Sequence, residues 1–149
     1  MSLITAAGIV IYRIINGSYE YLLLQASYPP YHWTPPKGHV DQGEDEWTTA
    51  LRETQEESGI LPHQIKVHKD FTETLKYEIV KSRYEKEITM QKTVKYWLAR
   101  LIDDSSVKLS SEHQNMEWAN IDRAIELVVF SDIASLFRKV DNFLKSHSQ

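Results

Sequence analysis

Between Gly38 and Ile60 the chain reads GHVDQGEDEWTTALRETQEESGI, and within it Glu53, Glu56 and Glu57 lie three and four positions apart, just ahead of Gly59. At helical spacing these carboxylates share a face, where each like-charged pair costs an isolated helix about 0.2–0.5 kcal/mol. The glycine predicts a left-handed helix stop. That sets Glu56 and Glu57 in the last turn, against the macrodipole. Such a helix needs something positive on its acidic face and an apolar side to bury. Trp47, Ala50, Leu51, Thr54 and Ser58 supply the apolar side at i, i+3, i+4, i+7 and i+11 of a helix predicted over residues 45–58. Asp45 and Glu46 suit its first turn. At about 100° per residue the acidic face points roughly 120–130° from this stripe, so the helix is expected to bury one side and expose its acids to a cleft.

Strand and helix signals alternate along the rest of the chain. Residues 6–14 and 21–25 are β-branched and aliphatic, and the turn signal Asn16-Gly17-Ser18 between them predicts a hairpin. Two Pro-Pro pairs make 27–37 a stiff loop, with Tyr28, Tyr31 and Trp33 interleaved. Residues 65–79 and 93–102 read as long strands, the charged KSRYEKE between them as a hairpin tip, and LSSEHQNMEW as a loop running into a strand. Two amphipathic helices follow, over 122–128 and 131–145, the second with Ile133, Leu136, Phe137, Val140 and Leu144 on one side. This order predicts an α/β fold, a mixed sheet covered by helices on both faces.

A chain of 149 residues with 42% apolar content reads as one domain, 1–149, able to bury about two thirds of its unfolded surface. A net charge of −4 gives no footprint for an extended nucleic-acid surface. The absence of cysteine excludes disulfides, thiolate nucleophiles and Cys-type zinc sites, and fits a reducing compartment. The apolar run 4–12 is broken by Thr5 and Gly8 and falls short of the about 20 residues a membrane span needs. The expectation is a soluble, monomeric protein of the cytoplasm, or the nucleus.

Oxygen-only donors point to a hard ion, Mg²⁺ or Mn²⁺. Mg²⁺ takes one or two carboxylates beside waters and phosphates, so three acids on one face can hold more than one ion. Gly38 is a residue that lets backbone approach a metal or a phosphate and is counted with the metal site; Gly43 allows the turn into the helix. Lys37 sits at the same approach, and Arg52 can pair with Glu56 or Glu44 to orient the ligands. Metal-assisted phosphoryl or nucleotidyl transfer to water suits such a site.

The segment resembles the Nudix box, G x5 E x7 R E U x E E x G U with U aliphatic, at Gly38, Glu44, Arg52, Glu53, Glu56, Glu57, Gly59 and Ile60. Thr54 departs from it, standing at an aliphatic position on the buried stripe. LLLQAS at 22–27, HWTPPKGHVDQGED at 32–45, VKYWLA at 94–99 and LSSEHQ at 109–114 are similar to the animal-type asymmetrical diadenosine tetraphosphate hydrolase family. The resemblance implies an α/β/α Nudix sandwich that cleaves a dinucleoside tetraphosphate, with Mg²⁺, into ATP and AMP. It implies Glu53, Glu56 and Glu57 as metal ligands and Glu112 as a further metal or catalytic carboxylate. The catalytic set is then Glu53, Glu57 and Glu112, with Glu53 and Glu112 both open as general base. His32, Lys37, Lys92 and Tyr96 would contact the polyphosphate, and Tyr77 and Phe130 would wall the adenine. The segment 78–91 is longer than the corresponding hairpin of typical members. Other nucleotide or RNA 5′-end pyrophosphohydrolases carry the same box, and binding modules carry it with acids lost; here every acid is present. His63, His68, His113 and His147 receive no functional assignment.

Overall fold

Strand β1 (Ser2–Ile15) is the axis of the sheet, and its side chains alternate between two apolar layers. Ala6, Val10 and Tyr12 enter a cluster with Ala124, Val128, Leu136 and Phe137, while Ala7, Ile9 and Ile11 enter another with Ala50 and Ile60. A strand covered on both faces must be apolar at successive positions, hence the unbroken run near the N-terminus. Strand β2 (Ser18–Ala26) repeats the pattern, with Tyr21 and Leu23 on one side and Leu22 and Leu24 on the other. The two form the expected hairpin, whose turn residues Asn16 and Gly17 both have positive φ, 50° and 79°, as a two-residue turn matched to strand twist requires.

The computed structural model describes residues 2–147. Residues 1, 148 and 149 of the domain expected over 1–149 lie outside the described residues. The proline-rich segment is more ordered than the expected loop: β3 (Trp33–Thr34) pairs with β2, and β4 (Lys37–His39) pairs with β1. Ladders this short have no periodicity to read. Strands β5 (Ile65–Arg83), β6 (Lys86–Leu101) and β7 (His113–Ala119) complete a sheet of order β3-β2-β1-β6-β5, with β4 on β1 and β7 on β2. The β1–β6 pairing is parallel and the others are antiparallel. KSRYEKE is mostly strand rather than tip: only Tyr84 and Glu85 turn, at φ 52° and 64°. Its polar composition is no break in pairing: Ser82 is the register partner of Glu87, and both are exposed.

Helix α1 (Glu46–Ser58) covers one face; α2 (Ile121–Val128) and α3 (Ser131–Ser146) cover the other, giving the expected α/β/α sandwich. Asp45 is the N-cap of α1 rather than part of its first turn, its carboxylate accepting the Thr48 N–H at 2.7 Å. Gly59 ends the helix at φ 75°, its N–H donating to the Gln55 carbonyl, and a Cβ there would lie 2.3 Å from the Ser106 carbonyl oxygen. Among the described residues no helix is long and apolar enough to cross a membrane.

Candidate active site

Part of the positive partner predicted for the acidic helix is in the chain itself. Arg52 grips both oxygens of Glu44, through Nε at 2.8 Å and Nη2 at 2.9 Å. Its Nη1 reaches Glu53 at 2.9 Å and Glu56 at 3.2 Å, and Nη2 also donates to the His39 carbonyl at 3.1 Å. Such a fork is rigid and always charged. Its bond, followed by that from Thr49, holds the Glu44 carboxyl down at about 2. Glu53 is pushed the other way, because burial outweighs Arg52 and the nearby charges of Glu56 and Glu112 add to it.

The three glutamates, expected to face a cleft together, do not share one environment. Glu56 is exposed, Glu53 is mostly covered, and Glu57 is buried at 9% exposure. Glu57 Oε1 accepts the Lys37 backbone N–H at 2.9 Å, which ties the helix end to β4. Desolvation, with Glu53 and Glu112 adding repulsion, lifts the Glu57 carboxyl to about 8, so without a cation it holds a proton at neutral pH. The His113 Nε2, 3.7 Å from Glu57 Oε2, does not supply that charge, since burial lowers the imidazole below its ordinary range. His113 Nδ1 lies 2.9 Å from Ser110 Oγ, which fixes the ring. Sequence reasoning gave His113 no part in the site; its closeness to Glu57 is a tertiary fact that no local spacing signals.

Glu57, Glu112, His113, His32, Thr34 and Lys37 surround a cleft of about 110 Å³. His32, Thr34 and Lys37 also line a larger cavity of about 430 Å³, walled further by Tyr77, Lys92, Tyr96 and Phe130. All six residues expected to meet substrate thus border a single cavity. Tyr96 is only 2% exposed and can offer little surface to a ligand. Phe130 packs on His32 with ring centres 4.7 Å apart. Glu78 and Asp132 also line this cavity, and neither was singled out by sequence. Among the described residues no three His, Asp or Glu side chains converge as a ready-made metal cage.

The model of the NUDIX domain matches residues 4–139. The chain belongs to the NUDIX domain family. Relatives of this Nudix chain include the asymmetrical bis(5′-nucleosyl)-tetraphosphatase of Caenorhabditis elegans, 52% identical over 141 residues, covering 95% of this chain and 96% of that protein. The enzyme of the same name from Sus scrofa is 43% identical over 148 residues, covering 95% of each. A crystal structure of a C. elegans Ap4A hydrolase binary complex is similar with a TM-score of 0.85 at 51% identity, covering 96% of this chain and 98% of that one.

Two positions of the Nudix box acquire a physical account from the geometry. A Cβ on Gly38 would fall 2.0 Å from the Glu53 carboxyl carbon, so this glycine makes room for the carboxylate itself. Thr54 is 1% exposed, and its Oγ1 is the buried side-chain polar atom without a hydrogen-bond partner among the described residues. The aliphatic residue of the Nudix pattern would leave nothing unpaired there.

Proposed function

We propose that this protein is a metal-dependent hydrolase that cuts dinucleoside tetraphosphates asymmetrically, giving ATP and AMP from diadenosine tetraphosphate. One observation carries this assignment: His32, Thr34 and Lys37 belong both to the aromatic cavity and to the cleft of Glu57 and Glu112. A nucleotide seated in the cavity therefore has its phosphates directed at the carboxylates. The names of the relatives, which cover nearly the whole chain, support the same substrate class.

The donor set fits a divalent ion. Every candidate ligand is a carboxylate or backbone oxygen, and the buried Glu57 carboxyl keeps a proton where a cation would otherwise balance it. A ready-made cage is not required, because Mg²⁺ keeps several waters and takes only one or two carboxylates at a site. In this proposal Glu53, Glu56, Glu57 and Glu112, with the Gly38 backbone beside them, hold Mg²⁺ or Mn²⁺. When bound, the ion supplies a more acidic water and neutralises charge on the bridging oxygens. Lys37, Lys92 and His32 bind the phosphate chain, with Tyr96 at the cavity wall. Tyr77 and Phe130 bracket the base, where stacking contributes about 1–3 kcal/mol. Glu53 or Glu112 accepts the proton of the attacking water. Arg52 and Glu44 keep Glu53 and Glu56 in place. The protein acts as a single-domain monomer of the cytoplasm or nucleus.

The test is product analysis by ion exchange after incubation with Mg²⁺ and a panel of dinucleoside polyphosphates, oxidised nucleotides and 5′-triphosphorylated or capped RNA. ATP plus AMP from the tetraphosphate is the expected result. Two ADP, or turnover restricted to RNA ends or oxidised nucleotides, would overturn it, and tight binding without turnover would mark a binding module.

A further inference from the structure

A second concentration of chemistry lies at the C-terminal end of β6, beyond Lys92. Arg100 stands eight residues further along the strand, about 26 Å at the usual rise per residue. There Lys66 of β5 is the direct register partner of Arg100, and Arg100 is in turn the partner of Tyr12 on β1. Like charges directly opposite one another destabilise a sheet, yet neither Lys66 nor Arg100 has a carboxylate partner among the described residues. Register slips between Val67 and Thr72, and His68, within that break, stacks on Tyr12. A bulge of this kind re-aims a side chain. His147, just beyond α3, closes the group. Together Tyr12, Tyr19, Lys66, His68, Arg100 and His147 line a cavity of about 280 Å³ that shares no lining residue with the cavity or the cleft of the acidic site.

Four basic side chains thus face one cavity in a chain whose net charge is −4. The positive field registers on His68, whose imidazole is held below its ordinary range first by burial and then by Lys66 and His147. Asp70 opposes this from nearby but does not line the cavity. The C-terminal end of α3 would normally repel an anion. Here two of its last carbonyls are engaged: the Leu144 oxygen accepts from Tyr19 Oη, and the Phe143 oxygen from the His147 backbone and Nδ1.

Each aromatic ring of the cavity already has an aromatic neighbour. Tyr12 stacks on His68, Tyr19 packs edgewise on Tyr12, and His147 stacks on Phe143. Among the described residues, the groups with no carboxylate partner to neutralise them are the cations Lys66 and Arg100. We propose that this cavity is a second binding site, for a small phosphate-type oxyanion, held chiefly by Lys66 and Arg100. Nothing in it depends on what the acidic cleft hydrolyses.

The test is a titration of the metal-free full chain in EDTA with inorganic pyrophosphate, followed by NMR of ring-labelled histidines. His68 and His147 report this cavity, and His32 reports the acidic site. The His68 and His147 signals are expected to shift and saturate. Lys66→Gln and Arg100→Gln, both at exposed side chains, each weaken that saturation about tenfold, the loss expected of a charged hydrogen bond. The His32 response stays unchanged in both, which also shows that the variants fold. ADP is expected to bind here within about threefold of pyrophosphate, since the ligand is held through its phosphates by Lys66 and Arg100. Silent His68 and His147 signals, or shifts undiminished in both variants, would overturn the proposal. ADP binding more than about tenfold tighter than pyrophosphate would overturn the assigned ligand class.

Discussion

Two small side chains of the box set different properties of the molecule. Thr54 is buried with its hydroxyl unpaired, and such a group costs about 1–3 kcal/mol. Thr54→Val removes the hydroxyl at nearly constant shape. It is expected to raise stability by about 1 kcal/mol, seen as a higher urea midpoint with an unchanged m value, and to leave turnover alone. Gly38 acts on chemistry instead. In Gly38→Ala the new methyl competes with the Glu53 carboxyl, 2.0 Å from its carbon, and a misplacement of about 1 Å costs about a hundredfold in rate. The expected result is a kcat reduced on that order while the melting temperature moves little. An unchanged kcat would mean that Glu53 finds an equivalent position. Arg52→Lys keeps the charge but loses the fork that spans Glu44, Glu53 and Glu56. Steady-state kinetics should show kcat falling by about tenfold or more, with no compensating fall in KM.

Helix α1 shows which elements a sequence states openly. Gly59 and the acidic spacing predict its end, and the structure supplies the left-handed stop. Gly59→Ala places a Cβ at positive φ and 2.3 Å from the Ser106 carbonyl oxygen. It should cost about 1–3 kcal/mol, lowering the melting temperature by several degrees, on the order of 2–4 °C per kcal/mol. The start was legible to within one residue, since Asp45 is a strong capping type and the cap stands just outside the helix. The central strands were legible because burial on both faces leaves an uninterrupted apolar run. Strands β3 and β4 were not, because two or three residues carry no period. The charged segment around Tyr84 looked like a turn because polar composition does not distinguish a turn from a paired ribbon. In the site, the i and i+4 relation of Arg52 and Glu56 could be read from numbering alone. The burial of Glu57 could not, because it is produced by β4 and by the segment of Ser110 and His113, which reach α1 only in the folded chain.

For the molecule as a whole, the buried Glu57 makes stability depend on pH and on bound cations. Its carboxyl titrates at about 8 in the folded protein, against an ordinary 4.5. Between those values the folded state holds a proton that the unfolded state has released, so stability falls as pH rises. In a chelator, the urea midpoint is expected to decline from about pH 5 to pH 8 and then level off. Glu57→Gln should flatten that decline, and Mg²⁺ should oppose it in the wild-type chain. A midpoint equally steep in Glu57→Gln would place the titration elsewhere. The parallel pairing of β1 with β6 has a further consequence, for the order in which the protein is made. Strand β1 is made before the strands it pairs with and can join β2 and β4 early, but its parallel neighbour β6 begins only at Lys86. At about 5–20 residues per second this leaves a gap of about 4–15 seconds. Throughout it this apolar strand has one edge open; α1, which covers one of its faces, is made within the gap, and α2 and α3, which cover the other, only after it. A strand covered on both faces in the finished fold thus spends much of its synthesis with one edge unpaired, and there a nascent chain needs protection.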